Sequence, residues 1–427
     1  MEKSVYDISL QICDSYLPCF FGNELTLFKI DDRYGQIKCN SVEAVVIQAI
    51  NRYHSTQRTW LHISELFNIR PDNTEARATY ETYVNQLRNK GIVVPGKAKS
   101  VFWGEQGKCY PLFLTIGLTN FCNFRCTHCY KEAGPTNTTF ISIDTIRDIF
   151  DTLKDKTYSL ELTGGEATAH PLFDEIVAIA PFTNIFLLTN GSNICCLDNA
   201  TLRKLNHVQV SMYGVTDDEY RQYAGVCAFS AFCDGLKKLV QMRIPSSVAI
   251  ILRKDNVRKI DQYLTFLYEI GINNVRFGVS AKAGRNTLGE TGWDISVEEY
   301  NIASQLVAAF SDKHPDMQIA KLDDADELKS KINDCENYIL GCQGGKNMIC
   351  ISEAGLVRPC VMLPEKYFGK VLWSKYKQII ASGNVFNYDK FIPEFLEALR
   401  MQGRNVGSVC PYGFVAQQVQ TIGESGI

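Results

Sequence analysis

The sequence predicts an α/β fold: a partial (β/α)6 TIM-like barrel with a small winged-helix-like domain before it and a cysteine-bearing extension after it. Three observations lead there. Six apolar runs alternate with amphipathic helical patterns between about residues 112 and 310. An alternating stretch followed by helical patterns precedes them, and a polar connector followed by a second group of cysteines comes after them. The expected domains are therefore residues 1–100, 101–311 and 312–427.

In the first domain, "NELTLFKIDDRYGQIKC" alternates apolar and polar residues and is split by a turn at "DDRYG", the pattern of a β-hairpin. Two helical patterns follow. "SVEAVVIQAINRYH" has Ser41 in the position of an N-cap, and "NTEARATYETYVNQLRNKG" is closed by Gly91. "IVVP" then returns as a short strand. A hairpin, helices and a returning strand in so short a span suggest a winged-helix-like unit, serving either recognition or packing and oligomerisation.

The barrel strands are expected at "LFLTIGLT", "LELTGG", "NIFLLTN", "HVQVSMY", "SVAIILR" and "NNVRFGV". Helices such as "IDTIRDIFDTLKD", "AFCDGLKKLVQM" and "VRKIDQYLTFLYEIG" lie between them. Repeated β-α units imply a parallel sheet curling into an open barrel, with ligands at the carboxyl ends of its strands. Loops that leave those ends are where chemistry belongs.

The first such loop is "LTNFCNFRCTHCYKEAG", which places Cys122, Cys126 and Cys129 in a CxxxCxxC pattern. Three thiolates on one short loop can hold three irons of a 4Fe-4S cluster and leave the fourth iron open to a small molecule. The alternative is structural zinc, with His128 completing a Cys3His set. Adjacent ligands at 128 and 129 would strain a tetrahedron on so short a loop. The second strand ends in "LTGGEATAHP". There Gly164 and Gly165 remove side chains where a ligand must approach the backbone, and Glu166 offers an acceptor for an ammonium. The plainer reading is a glycine turn followed by a solvated glutamate.

Composition narrows the class. With 44 basic and 47 acidic residues the net charge is −3, which leaves no broad electrostatic footprint for nucleic acid or an anionic membrane. The start lacks a basic and apolar export signal, and no apolar run approaches membrane-spanning length, so a cytoplasmic protein is expected. Sixteen cysteines in a reducing compartment are thiols or metal thiolates rather than disulfides. Those without a motif, including the vicinal Cys195 and Cys196, are expected to be small buried hydrophobes.

The third region contains Cys335 and Cys342, then "GGKNMICISEAGLVRPC" ending in Cys360, and later Cys410 in "SVCPYG". Gly355 sits where a turn would bring the two sides of a hairpin together.

A CxxxCxxC loop followed one β-α unit later by "GGE" resembles the radical S-adenosylmethionine (radical SAM) enzymes. The resemblance implies that SAM chelates the open iron and that one electron from the cluster cleaves its sulfonium to a 5'-deoxyadenosyl radical. It implies SAM contacts at Tyr130, Gly164, Gly165 and Glu166, the last facing the SAM amino group. Ser211, at the end of the fourth strand, is a candidate for the SAM carboxylate. Arg221 either pairs with the same carboxylate or forms a surface salt bridge. "GVSAKAGR" resembles the family's closing segment, in which Gly284 and Arg285 turn the chain over the cofactor.

The spacing of Cys342, Gly355 and Cys360 is similar to the C...GxxxxC hairpin of the SPASM and twitch extensions in this family. Cys335 and Cys410 then match the remaining ligands of an auxiliary 4Fe-4S cluster, with Cys350 the competitor of Cys335; unrelated thiols or zinc are the alternative. A dense CxxCxxxC run is absent, so the extension resembles twitch, with one auxiliary cluster. In this order the domains resemble maturases of ribosomally synthesised peptides, including the sactipeptide and ranthipeptide synthases that form thioether bridges. That implies a precursor peptide bound through its leader by β-augmentation, and a reductant such as flavodoxin or ferredoxin. Peptide epimerisation, carbon-carbon crosslinking and, from another class, a non-catalytic iron-sulfur sensor are the alternatives.

Overall fold

The computed structural model describes residues 7–30, 36–280, 284–286, 295–320, 344–345, 347–361 and 370–384. Two compact units separate within them, one built from residues 7–112 with 379–384 and the other from residues 113–378.

In the first unit, β1 (Leu10–Ile12) pairs antiparallel with β5 (Val93–Pro95). Strands β2 (Tyr16–Phe21), β3 (Glu24–Lys29) and β4 (Gln36–Lys38) form a separate antiparallel sheet, in which β3–β4 is the expected hairpin. Helices α1 (Ser41–Tyr53), α2 (Thr56–Leu66) and α3 (Thr74–Asn89) follow. The cap of α1 is Asn40 rather than Ser41. Its side chain accepts from the backbone N–H of Val42 and Glu43, while the Glu43 carboxylate accepts from Asn40 N, a reciprocal capping box. Helix α2 was not anticipated from the sequence. Its run "TQRTWLHISEL" is mostly polar, yet Thr59, Trp60, Ile63 and Ser64 fall on one buried face. Trp60, Ile47, Ile50, Tyr80 and Val84 fill the core of this unit with Leu10 and Leu27.

In the second unit the six expected strands are all present. They are β6 (Phe113–Gly117), β7 (Ser159–Thr163), β8 (Asn184–Thr189), β9 (His207–Met212), β10 (Ser246–Leu252) and β11 (Asn274–Val279). They pair in sequence order and in parallel, as successive β-α units require. Helices α4 (Ile143–Leu153), α5 (Phe173–Ile179), α6 (Asn199–Lys204), α7 (Asp217–Ala224), α8 (Phe229–Gln241) and α9 (Ile260–Ile270) connect them. Alternation along each strand sorts the side chains. On β9, Val208, Val210 and Met212 are buried while His207, Gln209 and Ser211 are half-buried on the other face; β8 repeats the pattern with Ile185 and Leu187. The apolar faces of α4, α8 and α9, with Ile149, Leu236 and Leu264, supply the outer layer of the core.

The sheet continues past both ends of the expected six strands. At one side β12 (Gln318–Ile319), which follows α10 (Val297–Lys313), adds parallel to β11. At the other, β13 (Met348–Ile351) adds parallel to β6, and β14 (Val357–Arg358) folds back on it antiparallel. The expected hairpin at "MICISEAGLVR" is therefore an extension of the barrel sheet, and Gly355 makes its turn at φ +70°, where a glycine is favoured. Helix α11 (Trp373–Ala381) follows. Among the described residues β12 and β14 are the sheet edges, so the barrel is open. No helix among the described residues is long and apolar enough to cross a membrane.

Candidate active site

Cys122, Cys126 and Cys129 follow β6 and lie at the carboxyl end of the sheet. Cys122 and Cys126 are buried and Cys129 is half-buried. Because the loop has little regular structure, its shape depends on backbone bonds to its surroundings. Cys122 N donates to Gly134 O at 3.2 Å, Arg125 N to Ala224 O at 2.8 Å and Thr127 N to Tyr223 O at 3.0 Å, which ties the loop to the end of α7. From above, Arg285 donates to Cys126 O (2.7 Å) through Nε and to Ala133 O (2.9 Å) through Nη2. Its backbone N–H donates to Cys129 O at 3.1 Å. Gly284 passes so close that a Cβ there would stand 2.3 Å from Cys129 O. The segment carrying Gly284 and Arg285 thus covers the cysteine loop.

"GGE" lies against the start of that loop. Gly165 N donates to Thr119 O and Glu166 N to Phe121 O. A Cβ on Gly164 would stand 2.8 Å from Thr119 O, and one on Gly165 would stand 2.2 Å from Phe121 O. The space freed by these glycines is thus taken by the protein's own backbone, one residue ahead of Cys122.

Glu166 is 1% exposed, so it is not a solvated glutamate. Its Oε1 accepts from Thr168 N (3.1 Å), Thr168 Oγ1 (2.6 Å) and Thr189 Oγ1 (2.7 Å), and its Oε2 accepts from Asn190 N (2.8 Å). Burial pushes its carboxyl above the usual range against the pull of these donors. Oε2, with a single donor, retains acceptor capacity. Asn190 continues the network: Nδ2 reaches Asn123 Oδ1 at 2.9 Å and Cys122 Sγ at 3.9 Å. The ends of β7 and β8 are in this way hydrogen-bonded to the cysteine loop.

Two further residues hold the loop and were not singled out in the sequence. Tyr213 is buried, with its Oη 3.2 Å from Cys126 Sγ. Arg253, fully buried at the end of β10, donates to Tyr213 O at 3.0 Å and lies 3.8 Å from the Tyr223 ring centroid. No local pattern marks these residues, because what each holds at the loop, Cys126 Sγ for Tyr213 and Tyr213 O for Arg253, is distant in sequence.

The other candidates disperse. Ser211 is half-buried on β9, beside Ala249 in register. Arg221 is exposed: Nη1 pairs with Asp218 at 2.7 Å and Nη2 reaches Cys227 Sγ at 3.0 Å, which is the surface salt bridge. Tyr130 lines a cavity of about 190 Å3 with Lys131, Thr163, Cys350, Glu353 and Arg358. Cys360 is half-buried, and Cys335, Cys342 and Cys410 lie outside the described residues. Cys195 and Cys196 are exposed, contrary to the expectation of buried hydrophobes, because they fall on a 3-10 turn whose buried member is Ile194.

The donor set tests the choice of metal. Among the described residues no three Cys, His, Asp or Glu side chains converge on one ion. Three thiols spread along one loop suit a multi-iron cluster better than a single tetrahedral zinc. Burial pushes the Cys122 and Cys126 thiols up to about 12, so ligation must displace their protons. Burial, with the nearby Arg253 and Arg285 cations, pushes His128 down to about 4 and keeps its ring neutral.

The Radical SAM superfamily model matches residues 116–267, which run from β6 into α9 and include the three cysteines and "GGE". The chain carries a radical SAM domain. Over 315 residues it is 26% identical to the antilisterial bacteriocin subtilosin biosynthesis protein AlbA of Bacillus subtilis (strain 168), covering 71% of this chain and 68% of AlbA. Over 283 residues it is 26% identical to the sporulation killing factor maturation protein SkfB of the same strain, covering 64% of this chain and 65% of SkfB, just under two thirds of its length. Streptococcus suis SuiB bound to its precursor peptide SuiA superposes with a TM-score of 0.56 at 14% identity, over 83% of each chain. That likeness is one of fold.

Proposed function

We propose that this protein is a radical SAM maturase of a ribosomally synthesised peptide, acting in the cytoplasm. The observation that carries the reading is the placement of the three-thiol loop, the "GGE" backbone and the Glu166–Asn190 network together at the carboxyl end of one parallel sheet. Similarity to AlbA and SkfB, both named for peptide biosynthesis or maturation, supports the substrate class. A 4Fe-4S cluster on Cys122, Cys126 and Cys129 would supply, with bound SAM, the one-electron cleavage that yields a 5'-deoxyadenosyl radical.

The chain's own part is to hold and shield. Gly164 and Gly165 let "GGE" lie on the segment before Cys122, and Oε2 of Glu166 is the acceptor for the SAM ammonium. Arg285 engages the carbonyls of the cysteine loop, which fixes its shape. Residues before about 100 form the winged-helix-like module that binds the leader of the precursor peptide. Cys335, Cys342, Cys360 and Cys410 form the ligand set of one auxiliary 4Fe-4S cluster in a twitch-like extension. A flavodoxin or ferredoxin serves as reductant.

The product we favour is a thioether between a peptide cysteine and a carbon. Hydrogen abstraction followed by carbon-sulfur bond formation leaves one electron to be removed, and an auxiliary cluster is a suitable acceptor. Anaerobic reconstitution with SAM, reductant and the precursor peptide encoded beside the gene tests the reading. Changing Cys122, Cys126 and Cys129 to Ala should abolish 5'-deoxyadenosine. The modified peptide should lose two hydrogens and one alkylatable thiol per bridge. Continued SAM cleavage by the triple variant would refute the cluster assignment. An unchanged peptide mass with deuterium uptake from heavy water would replace the thioether by epimerisation.

A further inference from the structure

The cavity beside Tyr130 is lined by a cation that has no partner among the described residues. Arg358 stands on β14 opposite Cys350 and lines the cavity with Gly117, Thr163 and Ser352. Among the described residues its buried Nε has no hydrogen-bond partner and its guanidinium makes no ion pair. Lys131, in the same wall, is matched: its Nζ lies 3.1 Å from Glu353 Oε2, and both side chains are largely buried. Among the charged side chains that line the cavity, Lys131 and Glu353 thus pair with each other, and Arg358 has no ion pair among the described residues. A buried guanidinium donor without an acceptor is costly, and its planar fork matches a carboxylate.

We propose, on the basis of the maturase reading above, that Arg358 is a specificity-determining residue that binds a carboxylate of the substrate peptide in this cavity. At about 190 Å3 the space is smaller than a typical small-molecule site and suits one acidic side chain or a chain end rather than a whole nucleoside. Gly117 and Thr163 mark the carboxyl ends of β6 and β7, so a peptide anchored at Arg358 would lie beside the loop that carries Cys129 and Tyr130.

The test uses the full reconstituted chain and the precursor peptide encoded beside the gene. Arg358→Gln should weaken peptide binding about ten- to a hundredfold, the range for loss of a charge-assisted hydrogen-bonded pair. The dissociation constant for SAM should stay within about twofold. Arg358→Lys, which keeps the charge and loses the fork, should fall between. Peptides in which each Asp or Glu is changed to its amide, and one with an amidated C-terminus, identify the source of the carboxylate. The responsible change should weaken binding to the wild type and add nothing in Arg358→Gln. Wild-type peptide affinity in Arg358→Gln would overturn the proposal. So would a loss confined to SAM, or a shifted auxiliary-cluster potential with peptide affinity intact, either of which assigns the guanidinium elsewhere. Wild-type protein that cleaves SAM yet neither binds nor alters the peptide would instead sink the maturase reading, a result independent of Arg358.

Discussion

One methyl group at position 165 would displace the cysteine loop. A Cβ there would meet Phe121 O at 2.2 Å and the Phe121 carbonyl carbon at 2.6 Å, both backbone atoms with no rotamer to turn. Gly165→Ala should therefore move Cys122 and lower 5'-deoxyadenosine formation by about a hundredfold, the penalty of an ångström-scale misplacement; full activity with full iron content would contradict this. Tyr213 sets a subtler property. Its hydroxyl is the polar partner of Cys126 Sγ, and hydrogen bonds to cluster sulfurs raise reduction potential. Tyr213→Phe should make the reconstituted cluster harder to reduce, as read by an EPR-monitored titration. At this scale the sequence was legible where the chemistry is written as a contiguous string: the three cysteines and "GGE" could be found by spacing. Tyr213, Asn190 and Arg253 could not, because each acts on the loop from a different strand end, and that convergence exists only once the sheet has formed. The carboxylate of Glu166 was legible as an acceptor, but its hydrogen bonds to Thr168, Thr189 and Asn190 were not.

Among the elements, β10 owes its importance to its terminus. Arg253 Nε and Nη2 donate to the two oxygens of Asp255 at 3.0 and 3.3 Å, and Nη1 holds Tyr213 O. Burial alone would raise the Asp255 carboxyl, but the hydrogen bonds and charge of Arg253 outweigh it and hold the group below its ordinary 3.8. A depressed carboxylate contributes stability that is present above its unfolded pKa and is lost as pH falls through the lower folded value. Asp255→Asn should thus cost about 1 kcal/mol at pH 7, discounted because Asp255 is partly exposed. The wild-type and variant urea midpoints should converge in acid below the ordinary aspartate range, and a constant gap down to that pH would exclude the linkage. At the other end of the chain, Asn40→Ala removes both side-chain bonds to the first turn of α1 and should cost about 1 kcal/mol, measurable as a lower denaturant midpoint. The helical and barrel elements were legible because their apolar periodicities are long. Helix α2 was missed because its stripe is short and polar residues such as Thr59 and Ser64 are buried in it. Ser41 has a hydroxyl suited to a cap, but the reciprocal bond with Glu43 selects Asn40.

For the whole molecule, the six-stranded parallel core was predictable from alternation, but its continuation through β12 and β13 was not. Strand β12 is only two residues long, and nothing local in "MICI" specifies that it will pair with a strand near residue 113. That pairing has a consequence for how the protein is made. Strand β6, from which the cysteine loop departs, has β7 on one side and β13 on the other, with Phe113 opposite Met348. While the ribosome is still synthesising the intervening chain, one flank of β6 carries unpaired amide and carbonyl groups, an edge open to pairing with another molecule. Contacts so distant in sequence also form late and slowly. A version of the protein ended at residue 320 should therefore keep the three thiols yet accumulate as aggregate, and recover solubility when residues 321–384 are restored; a soluble, monomeric truncation would show that the edge is harmless. Assembly of the iron site would then best follow completion of the polypeptide, because only the finished chain protects the strand that leads into it.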